Sequence, residues 1–177
     1  RTRAASLSFE TSASGALSVG ETTDTSSSHY PFWTNGAILP RMEADEGRLT
    51  TVLSLAGTSV IADDATRALG AWLGLLRQWN ARVDLTAART DNELFDLMLA
   101  DAAVLARPGL VPTGARVVDV GTGAGAPGLA LALMRPDLRV TLVEPLTKRV
   151  AFLRTVLGTV GRTDIELVRE RVEDVVA

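Results

Sequence analysis

The sequence contains no cysteine and only one histidine among its 177 residues. The missing thiols exclude disulfide bonds, cysteine-ligated zinc or iron-sulfur sites, and thiolate catalysis. The single histidine, His29, lies in a Ser/Thr-rich stretch, so neither a Ser-His-Asp triad nor a histidine-based metal site is expected. We therefore predict chemistry that needs no metal ion.

Long apolar runs and lysine are also scarce. No apolar run approaches the ~20 residues of a membrane helix, and the N-terminal stretch lacks the compact apolar segment of a secretory signal. A cytoplasmic protein with no membrane partner is therefore predicted. All positive charges except Lys148 are arginine, which compositional bias explains better than a nucleic acid-binding surface does.

Composition and periodicity divide the chain into three predicted regions. Residues 1–40 hold 14 serines and threonines and few large aliphatic side chains, which predicts a disordered or atypical extension. Residues 41–112 are predicted to form an N-terminal helical lobe. Residues 113–177 are predicted to form a partial α/β domain.

Two amphipathic helices are predicted in the helical lobe. The first begins near Asp63, with Asp63 or Asp64 as its N-cap, and its apolar face includes Trp72 and Trp79. The second covers about residues 91–107 and ends before a Pro-Gly pair. Both tryptophans are interpreted as core residues rather than as part of a ligand site.

The last region alternates short apolar runs with helical segments. ARVVDVG, from Ala115, is typical of a strand buried on both faces of a parallel sheet. RVTLVEP, from Arg139, and IELVRERV, from Ile165, predict a second and a third strand. Right-handed crossovers would place the strands in the order 3-2-1, which is half of a doubly wound α/β sheet.

A glycine-rich segment, DVGTGAGAPG, begins at Asp119, at the predicted turn from the first strand to a helix. Gly121, Gly123 and Gly125 would let backbone amides approach a ligand that a Cβ would keep away. Glu144 ends the next strand, where a carboxylate can accept hydrogen bonds from both hydroxyls of a ribose. The pattern therefore predicts nucleoside binding, and the alternative is a purely structural glycine turn.

Asp119 indicates which nucleoside the loop would take. The letters GTGAGA match the dinucleotide pattern G-x-G-x-x-G/A, which keeps a dinucleotide-dependent oxidoreductase as one alternative. A carboxylate beside the loop would repel a pyrophosphate but attract the sulfonium and ammonium groups of S-adenosylmethionine. We therefore predict S-adenosyl-L-methionine as the cofactor. The other interpretation of Asp119 is a carboxylate that only caps loop amides.

Several ordered motifs carry a family resemblance over about residues 63–176. They are LLRQWNARVDLTAART, VVDVGTGAGAPGLALALMRPD, VEPLTKRVAFLR and RVED. In this order and spacing they resemble the bacterial 16S rRNA (guanine-N7) methyltransferase G family, also called glucose-inhibited division protein B. The resemblance implies a Rossmann-like S-adenosylmethionine-dependent methyltransferase fold. It also implies methylation of guanine N7 in the 16S rRNA of the 30S ribosomal subunit.

The resemblance further implies which residues contact the cofactor. Gly121 and Ala126 would line the cofactor loop, and Glu144 would hold the ribose. Val172 and Glu173, after the third strand, would meet the adenine.

Basic residues are implied as the contacts to RNA. Lys148, Arg149 and Arg171 match basic positions of the family, where cations suit a phosphate backbone. The alternative for them is a solvated basic surface. Guanine N7 already has an in-plane lone pair, so no catalytic acid or base is predicted.

The sequence departs from the family pattern at three places. Leu97 and Met98 stand where the family usually has an Arg-His pair, and Asp84 stands where it commonly has asparagine. The chain also stops at Ala177, just past the third strand. We therefore expect a Rossmann-like fold truncated after that strand, with the first strand as an exposed apolar edge. A truncated, non-catalytic cofactor-binding fragment is the alternative to an active methyltransferase.

Overall fold

The structure is a computed structural model that describes residues 39–58, 61–171 and 173. The predicted extension therefore lies outside the described residues except for its last two, and so does Val172. All described residues fall within one unit, Gly36–Ala177. None of the helices in this part of the chain is both long and apolar enough to cross a membrane.

Helices and strands alternate in the second half of the described chain. The helices are α1 (Leu39–Ala56), α2 (Asp63–Asn80), α3 (Asp91–Leu105), α4 (Gly128–Met134) and α5 (Thr147–Val160), and the strands are β1 (Arg116–Val120), β2 (Arg139–Val143) and β3 (Glu166–Val168). The predicted α/β class, with a helical region before a short parallel sheet, is confirmed.

Helix α1 is the element that the sequence patterns do not reveal. In residues 46–56, the part of α1 whose side chains are described, the buried side chains are Leu49, Val52 and Leu53. Such a short apolar stretch does not define a helical period over a full window. These side chains pack in the hydrophobic core that α1 shares with α2 and α3.

The starts of α2 and α3 differ in their capping. The N-cap of α2 is Ala62, so the prediction of Asp63 or Asp64 is wrong. The extended backbone ends at Ala62, and both aspartates already lie in the first helical turn, where they complement the helix dipole. At α3, the Thr90 hydroxyl accepts a hydrogen bond from the amide of Glu93 at 3.2 Å.

Asn80, Leu85 and Thr86 of the first family motif hold together the segment between α2 and α3. The Asn80 side-chain oxygen accepts hydrogen bonds from the amides of Leu85 and Thr86 at 2.9 and 3.0 Å. These bonds satisfy backbone donors in a segment without regular secondary structure. This motif therefore has a structural role.

The three strands are parallel and follow the predicted order. Strand β1 lies at the edge, where Val118 and Val120 are 60% and 52% exposed. The expectation that this strand is buried on both faces is wrong, because only the face with Val117 and Asp119 packs against neighbouring elements. The expectation of an exposed apolar first strand is confirmed.

One hydrophobic core joins the helical region to the sheet. It includes Trp72 of α2, Phe95 of α3 and Phe152 of α5, all nearly or fully buried. The rings of Trp79 and Phe152 meet edge to face with centroids 5.6 Å apart. Because of this shared core, α2 lies beside the glycine-rich segment that follows β1.

Candidate cofactor site

The glycine loop, residues 121–127, connects β1 to α4 at the carboxyl end of the sheet. The amides of Gly121 and Thr122 both donate to the carbonyl of Val143, at 2.8 and 3.1 Å. These bonds extend the pairing of β1 with β2 and bring the loop beside Glu144. The carboxyl end of parallel strands is where open α/β sheets bind ligands.

Three glycines in the loop have backbone angles that other residues rarely adopt. The φ angle is +74° at Gly121, +61° at Gly123 and +108° at Gly125. A Cβ on Gly121 would meet no atom within 4 Å, whereas a Cβ on Gly125 would lie 2.9 Å from Leu129. Gly121 therefore borders open space, and Gly125 allows close packing against α4.

Asp119 holds the amino end of α4. Its Oδ2 accepts a hydrogen bond from the amide of Gly128 at 2.8 Å, and a Cβ on Gly128 would lie 2.5 Å from the aspartate. This contact agrees with the alternative interpretation of Asp119, in which its carboxylate caps backbone amides of the loop. The side chain is half-buried, and within the described residues no hydrogen bond engages Oδ1.

Glu144 is almost completely buried, with 1% of its surface exposed. Its Oε2 accepts a hydrogen bond from the amide of Gly123 and its Oε1 from the amide of Leu146, both at 2.9 Å. The Arg149 guanidinium lies 3.8 Å from Oε2. A buried carboxylate needs such partners to offset its lost hydration. Glu144 therefore ties the glycine loop to the segment that begins α5.

The remaining predicted residues differ in their exposure. Lys148, Arg171 and Glu173 are exposed, and Ala126 is half-buried at the end of the loop. Val172 lies outside the described residues. Within residues 39–58, 61–171 and 173, no three histidine, cysteine, aspartate or glutamate side chains are grouped to hold a metal ion. The loop and the two carboxylates are thus the part of the predicted site that the fold brings together.

Two residues of this region were not predicted as functional. Trp72 is fully buried, and its indole Nε1 donates to the carbonyl of Ala124 at 3.0 Å. Thr122 is 1% exposed, and its Oγ1 lacks a hydrogen-bond partner among the described residues. The place of Thr122 inside the glycine motif is a usable signal. No local sequence signal points to Trp72, because its hydrogen-bond partner, Ala124, is 52 residues away in the chain.

The charge around the loop limits the ligands that it suits. The loop itself carries no positive side chain, and Asp119 lies two residues before its first glycine. A pyrophosphate placed on the loop would be repelled by this carboxylate. The arrangement favours a neutral or positively charged ligand.

Comparison with known proteins gives the family. A family model described as rRNA small subunit methyltransferase G matches residues 65–177. The ribosomal RNA small subunit methyltransferase G of Moorella thermoacetica is 37% identical over 131 residues, which are 74% of this chain and 55% of that protein.

Two further relatives have the same name. The protein of Yersinia pseudotuberculosis is 40% identical over 126 residues, which are 71% of this chain and 59% of that protein. The protein of Mycobacterium leprae is 46% identical over 103 residues, which are 58% of this chain and 41% of that protein. The chain thus spans about half the length of the curated relatives that it matches. Since the family model covers more than half of the chain, this protein belongs to the rRNA small subunit methyltransferase G family.

Proposed function

We propose that this protein catalyses S-adenosylmethionine-dependent methylation of guanine N7 in the 16S rRNA of the 30S ribosomal subunit. Family membership and the names of the relatives support a ribosomal RNA substrate. The observation that carries the cofactor assignment is the open glycine loop at Gly121 next to the Asp119 carboxylate. A ribosomal substrate would place the protein in the bacterial cytoplasm.

The loop fits an adenosine-bearing cation better than a dinucleotide. Gly121 borders open space that a Cβ would fill, so the backbone there can be approached closely. Asp119 keeps one oxygen outside its hydrogen bond to Gly128. A positive group near this oxygen would gain electrostatic stabilisation, whereas a pyrophosphate would lose it.

When bound, S-adenosylmethionine supplies a methyl group activated by a sulfonium. Gly121 and Ala126 would line the cofactor, Asp119 would lie near its positive charge, and Val172 and Glu173 would meet the adenine. Guanine N7 attacks with its own lone pair, so these residues bind and orient rather than transfer protons. The absence of a usable histidine in the sequence agrees with this chemistry.

Glu144 is proposed to hold the ribose, and its burial limits how a ribose hydroxyl can reach it. A carboxylate has about four acceptor positions, and the amides of Gly123 and Leu146 occupy two of them. With 1% of the residue exposed, a ribose hydroxyl reaches the remaining positions only if Arg149 or the glycine loop moves aside. Cofactor binding is therefore expected to alter the Arg149–Glu144 contact.

Lys148, Arg149 and Arg171 are proposed to contact RNA phosphates. Lys148 and Arg171 are exposed and can release counterions when RNA binds. Arg149 is half-buried beside Glu144, so part of its charge is already compensated. Lys148 and Arg171 are therefore expected to contribute more to RNA affinity than Arg149 does.

Calorimetry tests the cofactor assignment. Asp119→Asn preserves an acceptor for the Gly128 amide but removes the charge, so it is expected to weaken S-adenosylmethionine binding about ten-fold. S-adenosylhomocysteine, which lacks the sulfonium charge, should lose less affinity. Asp101→Asn, at an exposed position of α3, is the matched control and should bind both ligands normally.

Transfer of labelled methyl groups to 30S particles tests the reaction. Labelling of one guanine at N7 is the expected result. A folded chain that binds the cofactor but labels no guanine would support the non-catalytic alternative. Tighter binding of NADH than of S-adenosylhomocysteine would reject the proposal in favour of an oxidoreductase.

A further inference from the structure

We infer that Trp72 is a positioning residue for the glycine loop. Its indole N–H holds the carbonyl of Ala124 and so keeps the loop in the shape that receives the cofactor. The effect of Trp72 on cofactor binding rests on the proposed function, whereas its effect on the loop does not. This role is additional to the packing role that the sequence pattern assigns to Trp72.

The hydrogen bond lies where water cannot replace it. Trp72 is fully buried, Ala124 is 5% exposed, and Nε1 is 3.0 Å from the carbonyl oxygen. Indole offers a single donor, and a buried carbonyl that loses its donor stays unsatisfied. Removing the N–H therefore leaves the Ala124 carbonyl without a partner unless the loop changes shape.

The bond fixes one peptide plane of the loop from both of its edges. In the peptide unit between Ala124 and Gly125, Trp72 holds the carbonyl, and the N–H donates to the carbonyl of Thr122 at 2.8 Å. Because the peptide group is planar, these two bonds define its orientation. The constraint acts at Gly125, where φ is +108° and glycine alone would allow many conformations.

Helix α2 is a rigid support for this contact. Leu69 and Leu76 of the helix are fully buried on either side of Trp72. One turn beyond Leu76, Trp79 packs edge to face on Phe152 of α5. A buried side chain on a packed helix has one preferred rotamer, so the position of the indole N–H is well defined. The helical region thereby contributes directly to the shape of the loop.

Hydrogen-deuterium exchange tests the loop contact without any ligand. Trp72→Phe removes the N–H but retains most of the apolar ring, and Trp79→Phe makes the same change where the ring packs on Phe152. After correction for global stability, amides of residues 121–130 are expected to exchange about five-fold faster in W72F and at the wild-type rate in W79F. Equal rates in W72F and the wild type overturn the inference.

Ligand binding tests the consequence for the cofactor. In calorimetry, W72F is expected to bind S-adenosylhomocysteine about five-fold more weakly, while W79F stays within two-fold of the wild type. Equal affinities of W72F and the wild type overturn this part of the inference. If the wild type itself binds neither S-adenosylhomocysteine nor S-adenosylmethionine, the proposed function fails, and hydrogen-deuterium exchange still decides the role of Trp72.

A variant that keeps Trp72 covers the case in which W72F does not fold. The chain has three tryptophans, so the double variant W33F/W79F leaves Trp72 as the single tryptophan, which can be excited selectively over Tyr30. Its emission is expected to shift when S-adenosylhomocysteine saturates the loop, because the indole contacts the loop backbone. Unchanged emission at a saturation verified by calorimetry would contradict a coupling between Trp72 and the cofactor.

Discussion

The two ends of the sheet hold their carboxylates in different ways. At the carboxyl end, Asp119 and Glu144 accept hydrogen bonds from backbone amides. At the amino end, Asp137 and Asp164 each accept two hydrogen bonds from an arginine two residues earlier in the chain. The carboxylates at the carboxyl end shape the glycine loop, whereas those at the amino end form ion pairs with arginines that also donate to the carbonyls of Val111 and Ala132.

The arginine pairs also control the protonation of their partners. Hydrogen bonding to Arg135 is the main cause that lowers the pKa of Asp137 well below its usual range, and Arg162 lowers the pKa of Asp164 in the same way. The side chains of these aspartates are 32% and 56% exposed. Water therefore screens both pairs, and each contributes little to stability.

The carboxylates at the two ends of the sheet differ in burial, and we expect this difference to set the cost of substituting them. Glu144 is 1% exposed, so its carboxylate has no access to water and depends on the amides of Gly123 and Leu146 for its hydrogen bonds. At Asp137 and Asp164, which are partly exposed, water can take the place of a lost hydrogen bond to Arg135 or Arg162. We therefore expect substitutions at the carboxyl end to have larger effects than similar substitutions at the amino end.

The largest effect is expected for Glu144→Gln. Glutamine replaces one carboxylate oxygen by an amide NH2, which would face the backbone N–H of Gly123 or Leu146, donor against donor. Chemical denaturation should show a loss of about 3 kcal/mol in the free energy of unfolding. Asp164→Asn, the matched change at the amino end, should lose less than about 1 kcal/mol. Similar losses for the two variants would refute the contrast.

Gly128→Ala is expected to cost about 2 kcal/mol, because its Cβ would lie 2.5 Å from Asp119. Gly158→Ala is the control, since a Cβ at that helical position meets no atom within 4 Å and alanine favours helix. Denaturation of the Asp119→Ala, Gly128→Ala double variant should show less than the sum of the single losses. An additive double variant would mean that the predicted collision does not occur.

Thr122→Val is expected to stabilise the protein by about 1 kcal/mol. The substitution removes a buried hydroxyl that has no partner among the described residues and keeps the branched shape of the side chain. Thr141→Val is the control, because that hydroxyl donates to Glu166 at 2.9 Å and its loss should not stabilise. Thermal unfolding measures both. A destabilised Thr122→Val variant would indicate that the hydroxyl has a partner in solution.

The smallest effect is expected for Asp137→Asn, and it should depend on pH. The pKa of Asp137 is lower in the folded state than the unfolded value of about 3.9, so its stabilisation is present at neutral pH and declines as pH falls below about 5. The variant should lose less than about 1 kcal/mol at pH 7 and approach the wild type near pH 2. A constant difference across this range in denaturation would argue against the ion pair.

The sequence predicts the three strands and four of the five described helices for local reasons. Apolar periodicity reveals α2 and α3, and the short apolar runs reveal the three strands and their order. The pattern does not reveal α1, because the buried residues of its described part, residues 46–56, form only a short stripe. It misplaces the cap of α2, because the choice between Ala62 and Asp63 depends on a single backbone angle.

The candidate site divides in the same manner. The positions of Gly121, Gly123 and Gly125 follow from the letters of the motif, and each has the positive φ that the glycines suggest. The partners of Asp119 and Glu144 do not follow, since a carboxylate accepts hydrogen bonds equally from a ligand or from an amide. Their geometry depends on how closely α4 and α5 approach the loop.

The sequence alone determined the family and the glycine loop through its ordered motifs, and the strand order through short apolar runs joined by right-handed crossovers. The tertiary structure decided that Glu144 is buried against the loop and that Trp72 reaches Ala124 from a distant helix. Contacts between residues far apart in the chain depend on the packing of whole helices in the shared core, and no local pattern specifies that packing.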